Sequence, residues 1–388
     1  MQEQQQELII IGGGIMGLCS AYYASHFCQH ITILEKEVIG VENRKAASFS
    51  YTRSIRNDYL DPFYARLAYQ ARTLWLQLQQ YATEPFLIEC GCLNLACASV
   101  TPELAETYAV KSDETLRALH LKTEAFGRDT LRQRFPQFSA DLGRLDVEAG
   151  FLFVPEITRT LLNLLRQRGV QIVEHVNVTH ISARTGSVHI YTDGANYQAE
   201  QLVITAGWGT NDILRSIDDC TLQCPLTPDR PSQSKYFIPP ANQRKQFTSD
   251  VLPVFAYLDV GIYGHPIYEG RTPGVKIGFY NPPDVKTLNT RISSVENFVA
   301  TCMPSLRDAD IIDVVEVDQC YYDLVSDDNF IMGHIPDHNN ITLGVGWRGT
   351  GYKYAPWIGQ TLMQVALQGA SVYDISRFTP SRFALYSL

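Results

Sequence analysis

No apolar run in this chain approaches the ~20 residues that a membrane helix needs, so the sequence predicts no transmembrane segment and no membrane partner. Nine cysteines are present, yet no two stand in a CxxC pair. Structural zinc sites take their ligands from such close pairs, which argues against a metal. Basic residues are outnumbered, 32 against 41 acidic ones, leaving a net charge of -9. That balance excludes a nucleic-acid backbone as the natural partner. There is no internal repeat and no low-complexity tract, so a solenoid or a disordered chain is excluded. Only Met1-Gln2-Glu3-Gln4-Gln5-Gln6 stands before the first apolar run, without a basic, apolar leader. The terminal Tyr386-Ser387-Leu388 lacks the basic residue of a peroxisomal address. Both features point to the cytoplasm. What is present is a chain of 388 residues, 45% apolar and 19% charged. It is long enough for two domains, or for one domain with a large insertion.

The strongest local pattern lies near the start. Leu8-Ile9-Ile10-Ile11 suits a parallel strand buried on both faces. Gly12-Gly13-Gly14-Ile15-Met16-Gly17 follows. Gly12 allows a tight turn, Gly14 lets a pyrophosphate approach the backbone, and Gly17 lets a helix pack closely on the strand. Ile15 and Met16 open that helix, whose N–H groups face an anion. A second strand, Ile31 to Leu34, ends in Glu35-Lys36. A carboxylate there accepts hydrogen bonds from ribose hydroxyls. The unit predicts a dinucleotide site, and NAD and FAD are both open at this point.

Down the chain, Val38 to Ser50 reads as a loop near the cofactor's phosphates or ribose. Thr52-Arg53-Ser54-Ile55-Arg56 brings two guanidiniums close together, on one face if the segment is helical, and points to an anion. Asp61 is an N-cap with Pro62 at the first helical position, and Phe63, Leu67, Leu74 and Leu78 give that helix a buried face. From Pro85 to about Asp146 the βαβ rhythm breaks, with strands in Phe86 to Ala96 and helices over Glu103–Leu119 and Asp129–Phe135. Phe151 to Thr205 returns to α/β character: a helix over Thr158–Arg168 ended by Gly169, and strands at Val170–Val178 and Ser187–Tyr191. The strand Leu202 to Thr205 then enters a small-residue turn, Ala206-Gly207-Trp208, that can approach a cofactor. Leu222 to Cys320 is a second excursion, with strands at Val251–Leu258 and Gly274–Phe279 and a helix at Val295–Met303. Lys276 stands alone in the apolar Gly274 to Phe279; facing inward it is a functional candidate. Ile341 to Val345 leads into a second glycine-rich turn, Gly346 to Tyr354, and a helix to Leu367 ended by Gly369. Asp374 to Leu388 reads as a tail. The fold class is α/β: a Rossmann-type dinucleotide domain (1–84, 147–220 and 321–388) with a second α+β domain on an antiparallel or mixed sheet (85–146 and 221–320).

Together these residues resemble the flavin amine oxidases of the D-amino-acid oxidase superfamily, within it the monomeric sarcosine oxidase and N-methyltryptophan oxidase group. The resemblance spans the chain. It is carried by the glycine fingerprint with Glu35, Thr52-Arg53-x-x-Arg56, Tyr263-Gly264-x-Pro266, Gly274-Val275-Lys276-Ile277-Gly278 and Cys320-Tyr321-Tyr322 with Asp327 and Phe330 following. The Gly346 to Lys353 turn and Tyr373-Asp374-Ile375-Ser376 complete it. It implies FAD, bonded covalently through Cys320. It implies that Arg56 and Lys353 grip a substrate carboxylate, that Lys276 promotes reaction with oxygen, and that Arg53 lies against the flavin ring. Tyr263, Tyr322 and Trp347 are implied around the substrate. Thr52, Val178, Gly207, Gly349, Thr350 and Gly351 are implied around the cofactor, with Lys353 also near its N1 edge. The implied reaction moves a hydride from an amino acid to flavin N5, giving an imine, and reduces O2 to hydrogen peroxide; a monomer is expected. No histidine or glutamate is nominated as a general base.

The departures bear on substrate. Tyr280 and Thr350 stand where that group has histidines, and Ser48-Phe49-Ser50-Tyr51 replaces its histidines and glycine. Trp347 is similar to the residue of piperideine-2-carboxylate oxidase. A secondary, N-methyl or cyclic amino or imino acid larger than sarcosine is therefore expected. The competing readings are a flavin dehydrogenase with another acceptor, a NAD-dependent dehydrogenase, and a non-catalytic flavin-binding module. Lys276 argues against the first, and the joint presence of Arg56, Lys276, Cys320 and Lys353 against the last.

Overall fold

The computed structural model describes residues 6–40, 43, 45–229, 234–280, 285, 289–313 and 322–386. Its first sheet is built on β1 (Gln6–Ile11), from which α1 (Ile15–Ala24) leads to β2 (Ile31–Leu34). β1 pairs in parallel with β2 on one side and with the strand Asn196–Ile204 on the other. Parallel pairing continues from β2 to Gln171–Val173 and from Asn196–Ile204 to His338–Val345. Helix α1 and the helices Val154–Gln167 and Ala355–Gln368 pack on the face of Leu8 and Ile10, while Ile9 packs with Ile181, Val188 and Ile190, which is why all three are completely buried without alternation. The eight-stranded sheet is completed by antiparallel strands: Val178–Arg184 and Ser187–Thr192 at one edge, and Ile331–Ile335 against His338–Val345.

The second sheet is also eight-stranded. Its strands all come from the two excursions, Cys92–Ala96, Thr123–Gly127 and Leu142–Asp146 from one, and Ser234–Ile238, Val254–Tyr257, Ile262–His265, Val275–Phe279 and Asp310–Asp313 from the other. One parallel pair, Cys92–Ala96 with Val254–Tyr257, joins the two halves; the remaining pairs are antiparallel. Leu93, Leu95, Phe255, Tyr257, Ile262 and Ile277 form its core with Phe298 from a covering helix.

A small third sheet places β3 (Thr52–Ile55) beside Gly150–Phe153, with Leu87–Ile88 on the far side. The condition under which Arg53 and Arg56 would share a helical face is therefore not met. Ladder pairing with Gly150–Phe153 holds the segment extended, and side chains three apart on a strand point to opposite faces. Helix α2 (Pro62–Gln79) begins as expected, with Asp61 Oδ1 accepting the Phe63 N–H at 2.8 Å and Pro62 at the first turn. The expected helix over Glu103–Leu119 is broken into a 3-10 turn, Leu104–Glu106, and a helix, Tyr108–Ala118. The end of the chain is no loose tail. Ser376–Phe378 and Pro380–Tyr386 are 3-10 turns, and Phe378 is fully buried against Phe63, Phe330 and Trp357. No helix among the described residues is long and apolar enough to cross a membrane.

Candidate active site

At the C-terminal end of β1 the glycine turn is sterically obligatory. Gly12 has φ +105°, and a Cβ on Gly17 would lie 1.9 Å from the Gly12 carbonyl oxygen. Glu35 accepts the Gly13 N–H at 2.6 Å and the Glu37 N–H at 2.9 Å, so it braces the turn as well as ending β2. Ser48 Oγ accepts the Ile15 N–H at 3.0 Å and folds the 38–50 loop over the helix N-terminus. Gly13, Ile15 and Ser48 line a cavity of about 400 Å³ together with Gly14, Val38, Gly40 and Thr158. Met16 is buried and Lys36 is exposed. The Val176 N–H bonds the Glu35 carbonyl at 2.9 Å, which brings the start of the Val178 strand to the same end of the sheet. The Gly207 turn follows Thr205, whose Oγ1 donates to the Gly12 carbonyl at 3.1 Å.

A second cavity of about 630 Å³ lies between the second sheet, β3 and the turn that follows His338–Val345. Thr52, Arg53, Arg56, Tyr263, Lys276, Gly349, Thr350 and Lys353 all line it, brought from distant parts of the chain. Tyr352 lines both cavities, and its buried hydroxyl has no hydrogen-bond partner. Two adjoining cavities, one cradled by glycine and one cationic, fit the nucleotide and ring ends of FAD, and the orphaned Tyr352 hydroxyl stands at the junction.

Lys276 is 1% exposed and faces inward, its Nζ donating to Ser50 Oγ at 2.9 Å. Strand alternation sends Thr52 and Ser54 to one face of β3, where their hydroxyls hold His265 at Nδ1 (2.6 Å) and Nε2 (2.7 Å). Arg53 points the other way and donates to the Ala47 and Phe49 carbonyls at 2.8 and 2.7 Å, bracing the nucleotide loop. Lys353 Nζ donates to Tyr59 Oη at 2.8 Å and to the Thr350 carbonyl at 3.1 Å, while the Lys353 carbonyl accepts from Trp75 Nε1 at 2.8 Å. Burial, with Arg56 adding repulsion, holds the Lys353 amine well below its ordinary range. Arg56 is 4% exposed and paired with Asp58 at 2.6 Å. Burial pushes the Asp58 carboxyl up and Arg56 pulls it back, the net direction being upward. Asp146 beneath them, bonded to Asn57, is raised to about 7 by burial and by Asp58.

The second glycine turn is held by a residue that the sequence did not nominate. Asp323 accepts the Gly346 and Trp347 N–H groups at 2.8 and 3.1 Å, and its carbonyl accepts that of Arg348, which sits at φ +52°. Asp58 and His265 were likewise missed; the one available signal was His265 filling the open position of Tyr263-Gly264-x-Pro266. Trp347 is not brought into the cavity: it packs on Phe330 at 5.4 Å below the turn. Tyr280 lines the cavity instead. Cys320 lies outside the described residues, and of Tyr322 only the backbone, in Tyr322–Val325, is described.

Comparison with known proteins agrees with this geometry. The family described as FAD dependent oxidoreductase, DAO, matches residues 7–365. The chain is 27% identical to human peroxisomal sarcosine oxidase, over 98% of this chain and 97% of that protein. It is 26% identical to N-methyl-L-tryptophan oxidase of Salmonella dublin, over 97% and 99%. Its fold is similar to that of L-proline dehydrogenase from P. horikoshii, with a TM-score of 0.79, 18% identity and full coverage of both chains. A glycine cradle for the nucleotide, a buried cationic cavity for the ring and a family match over most of the chain lead to one conclusion: this chain belongs to the DAO family and is an FAD-dependent oxidoreductase.

Proposed function

We propose that this enzyme oxidises a secondary, N-methyl or cyclic amino acid to its imine and reduces O2 to hydrogen peroxide. The observation that carries the reading is the convergence of Arg56, Lys353 and Lys276 on one cavity. FAD, when bound, supplies the electron acceptor for the amine C–H and passes those electrons to oxygen. Arg56 and Lys353 orient the substrate by its carboxylate, a charge-assisted contact that fixes which C–H is presented. Tyr263 and Tyr280, in edge contact at 5.6 Å, line the same cavity and suit an N-methyl group or a ring. Lys276, enclosed and tied to Ser50, places a cation where negative charge develops on oxygen. The relatives named for sarcosine and N-methyl-L-tryptophan oxidation support the amine class.

Within the same reading, residues 1–84, 147–220 and 321–388 hold FAD, with Gly12, Gly14, Ile15, Met16, Gly17, Glu35, Lys36 and Val178 toward the nucleotide. Gly207, Gly349, Thr350 and Gly351 close on it from the neighbouring turns. Residues 85–146 and 221–320 form the substrate domain, Cys320 carries the flavin, Tyr322 borders the substrate, and the protein works as a cytoplasmic monomer.

The test is an anaerobic screen of sarcosine, N-methylated amino acids, proline and pipecolate for bleaching of the yellow enzyme, followed by admission of air and a peroxide assay. Bleaching by a cyclic or N-methyl amino acid and stoichiometric peroxide are expected. Bleaching without peroxide, with turnover restored by an artificial acceptor, would make it a dehydrogenase. Acid precipitation tests the covalent link: colour released to the supernatant removes Cys320 from the flavin.

A further inference from the structure

Arg56 does not meet the cavity as an open fork. Its Nη1 donates to Asp58 Oδ1 at 2.6 Å and to the Asp58 carbonyl at 2.8 Å, and its Nη2 donates to Tyr280 Oη at 2.8 Å. The chain makes this pairing just beyond β3, where a tight turn closed by the Tyr59 N–H on the Asn57 carbonyl (2.9 Å) folds Asp58 back under Arg56. Asp58 is 1% exposed, and its second oxygen is held by Asn94 Nδ2. The guanidinium also stacks on Tyr59, 4.7 Å from the ring centre, and Lys353 Nζ bonds the hydroxyl of that same tyrosine. Arg56, Tyr59 and Lys353 therefore form one rigid wall, with a counter-ion built into it.

Bidentate capture of a carboxylate needs two parallel N–H groups on one guanidinium edge. Asp58 commits Nη1 of Arg56 and with it the Nη1–Nη2 edge. With Lys353 protonated, Arg56 and Lys353 against Asp58 leave the wall with a single net positive charge. We infer that Asp58 is a specificity-determining counter-ion. It restricts the site to one carboxylate, bound end-on by Arg56 Nη2 and Lys353 in exchange for the Tyr280 hydroxyl, and it turns dicarboxylic amino acids away. The inference rests on reading Arg56 and Lys353 as the carboxylate clamp. Asp58 acts through Arg56 and is a positioning residue.

Asp58→Asn keeps shape and removes charge. The buried Asn94 Oδ1 has no partner, so an amide flip lets it accept from the new amide nitrogen. Propionate and malonate are titrated into the FAD-loaded enzyme, and binding is followed by calorimetry. Asp58→Asn is expected to bind propionate about tenfold more tightly, because removing the counter-ion leaves the charge of Arg56 for the ligand. Malonate should gain more, so the malonate-to-propionate affinity ratio rises. Tyr280→Phe should tighten propionate without moving the ratio. A folded Asp58→Asn enzyme with the wild-type ratio overturns the inference. Should that variant fail to fold, Tyr280→Phe decides the exchange: unchanged propionate affinity overturns it. Arg56→Ala separates the two levels. Propionate binding unaffected by it removes the clamp itself, whereas binding lost in it alongside a wild-type ratio in Asp58→Asn removes only the role of Asp58.

Discussion

Lys353 is placed to lose its proton: it is buried, and Arg56 repels its charge. The ammonium is populated below the lowered pKa and lost as pH rises through it. Affinity for a carboxylate should therefore be greatest on the acid side and fall with rising pH. In Lys353→Met the propionate affinity should be weaker and this dependence gone, which titration across pH checks. Lys276 is tied to Ser50. Lys276→Met should slow the reaction of the reduced enzyme with oxygen by about a hundredfold or more, while anaerobic reduction by substrate stays near the wild-type rate. Stopped-flow measurement of the two halves distinguishes this from general damage. Lys276 was legible as a lone cation in an apolar strand. Its inward direction was not, because that depends on pairing with Tyr236 on one side and His265 on the other.

At the scale of elements, the glycine turns carry the architecture. Gly17→Ala would drive a methyl group into the Gly12 carbonyl, at 1.9 Å in the present backbone. α1 must then lift from β1, at a cost of about 1–3 kcal/mol. The purified variant should be pale or colourless and show a lower denaturant midpoint; a fully yellow enzyme would contradict the reading of this turn. The second turn depends on Asp323, which satisfies the Gly346 and Trp347 N–H groups from another strand. That dependence was invisible in the sequence because the carboxylate lies more than twenty residues upstream. The extended form of Thr52 to Ile55 was not legible for a similar reason: the partner strand, Gly150–Phe153, is almost a hundred residues away.

For the whole molecule, buried carboxylates set the response to pH. Burial raises Asp146 to about 7 and Asp323 to about 6. Between the ordinary carboxylate range and these values the folded chain binds more protons than the unfolded one. Stability should therefore fall as pH rises from about 4 to about 7, by a few kcal/mol in all. Asp146→Asn should flatten that slope. Chemical denaturation at a series of pH values checks both, and a slope unchanged in the variant would show that Asp146 is not its source.

The sequence by itself determined the α/β class, the glycine cradle and the candidate cations. Those depend on local rules: which residue tolerates φ +105°, which run can be buried on both faces, which charge interrupts an apolar strand. Only the tertiary structure decided what the cations face. Asp58 beneath Arg56, His265 between Thr52 and Ser54, and Trp347 turned to Phe330 instead of the cavity all follow from a turn or from strand pairing. A side chain's neighbours are set by register between segments far apart in the chain, and a one-residue change in register would reverse the face that each of them shows.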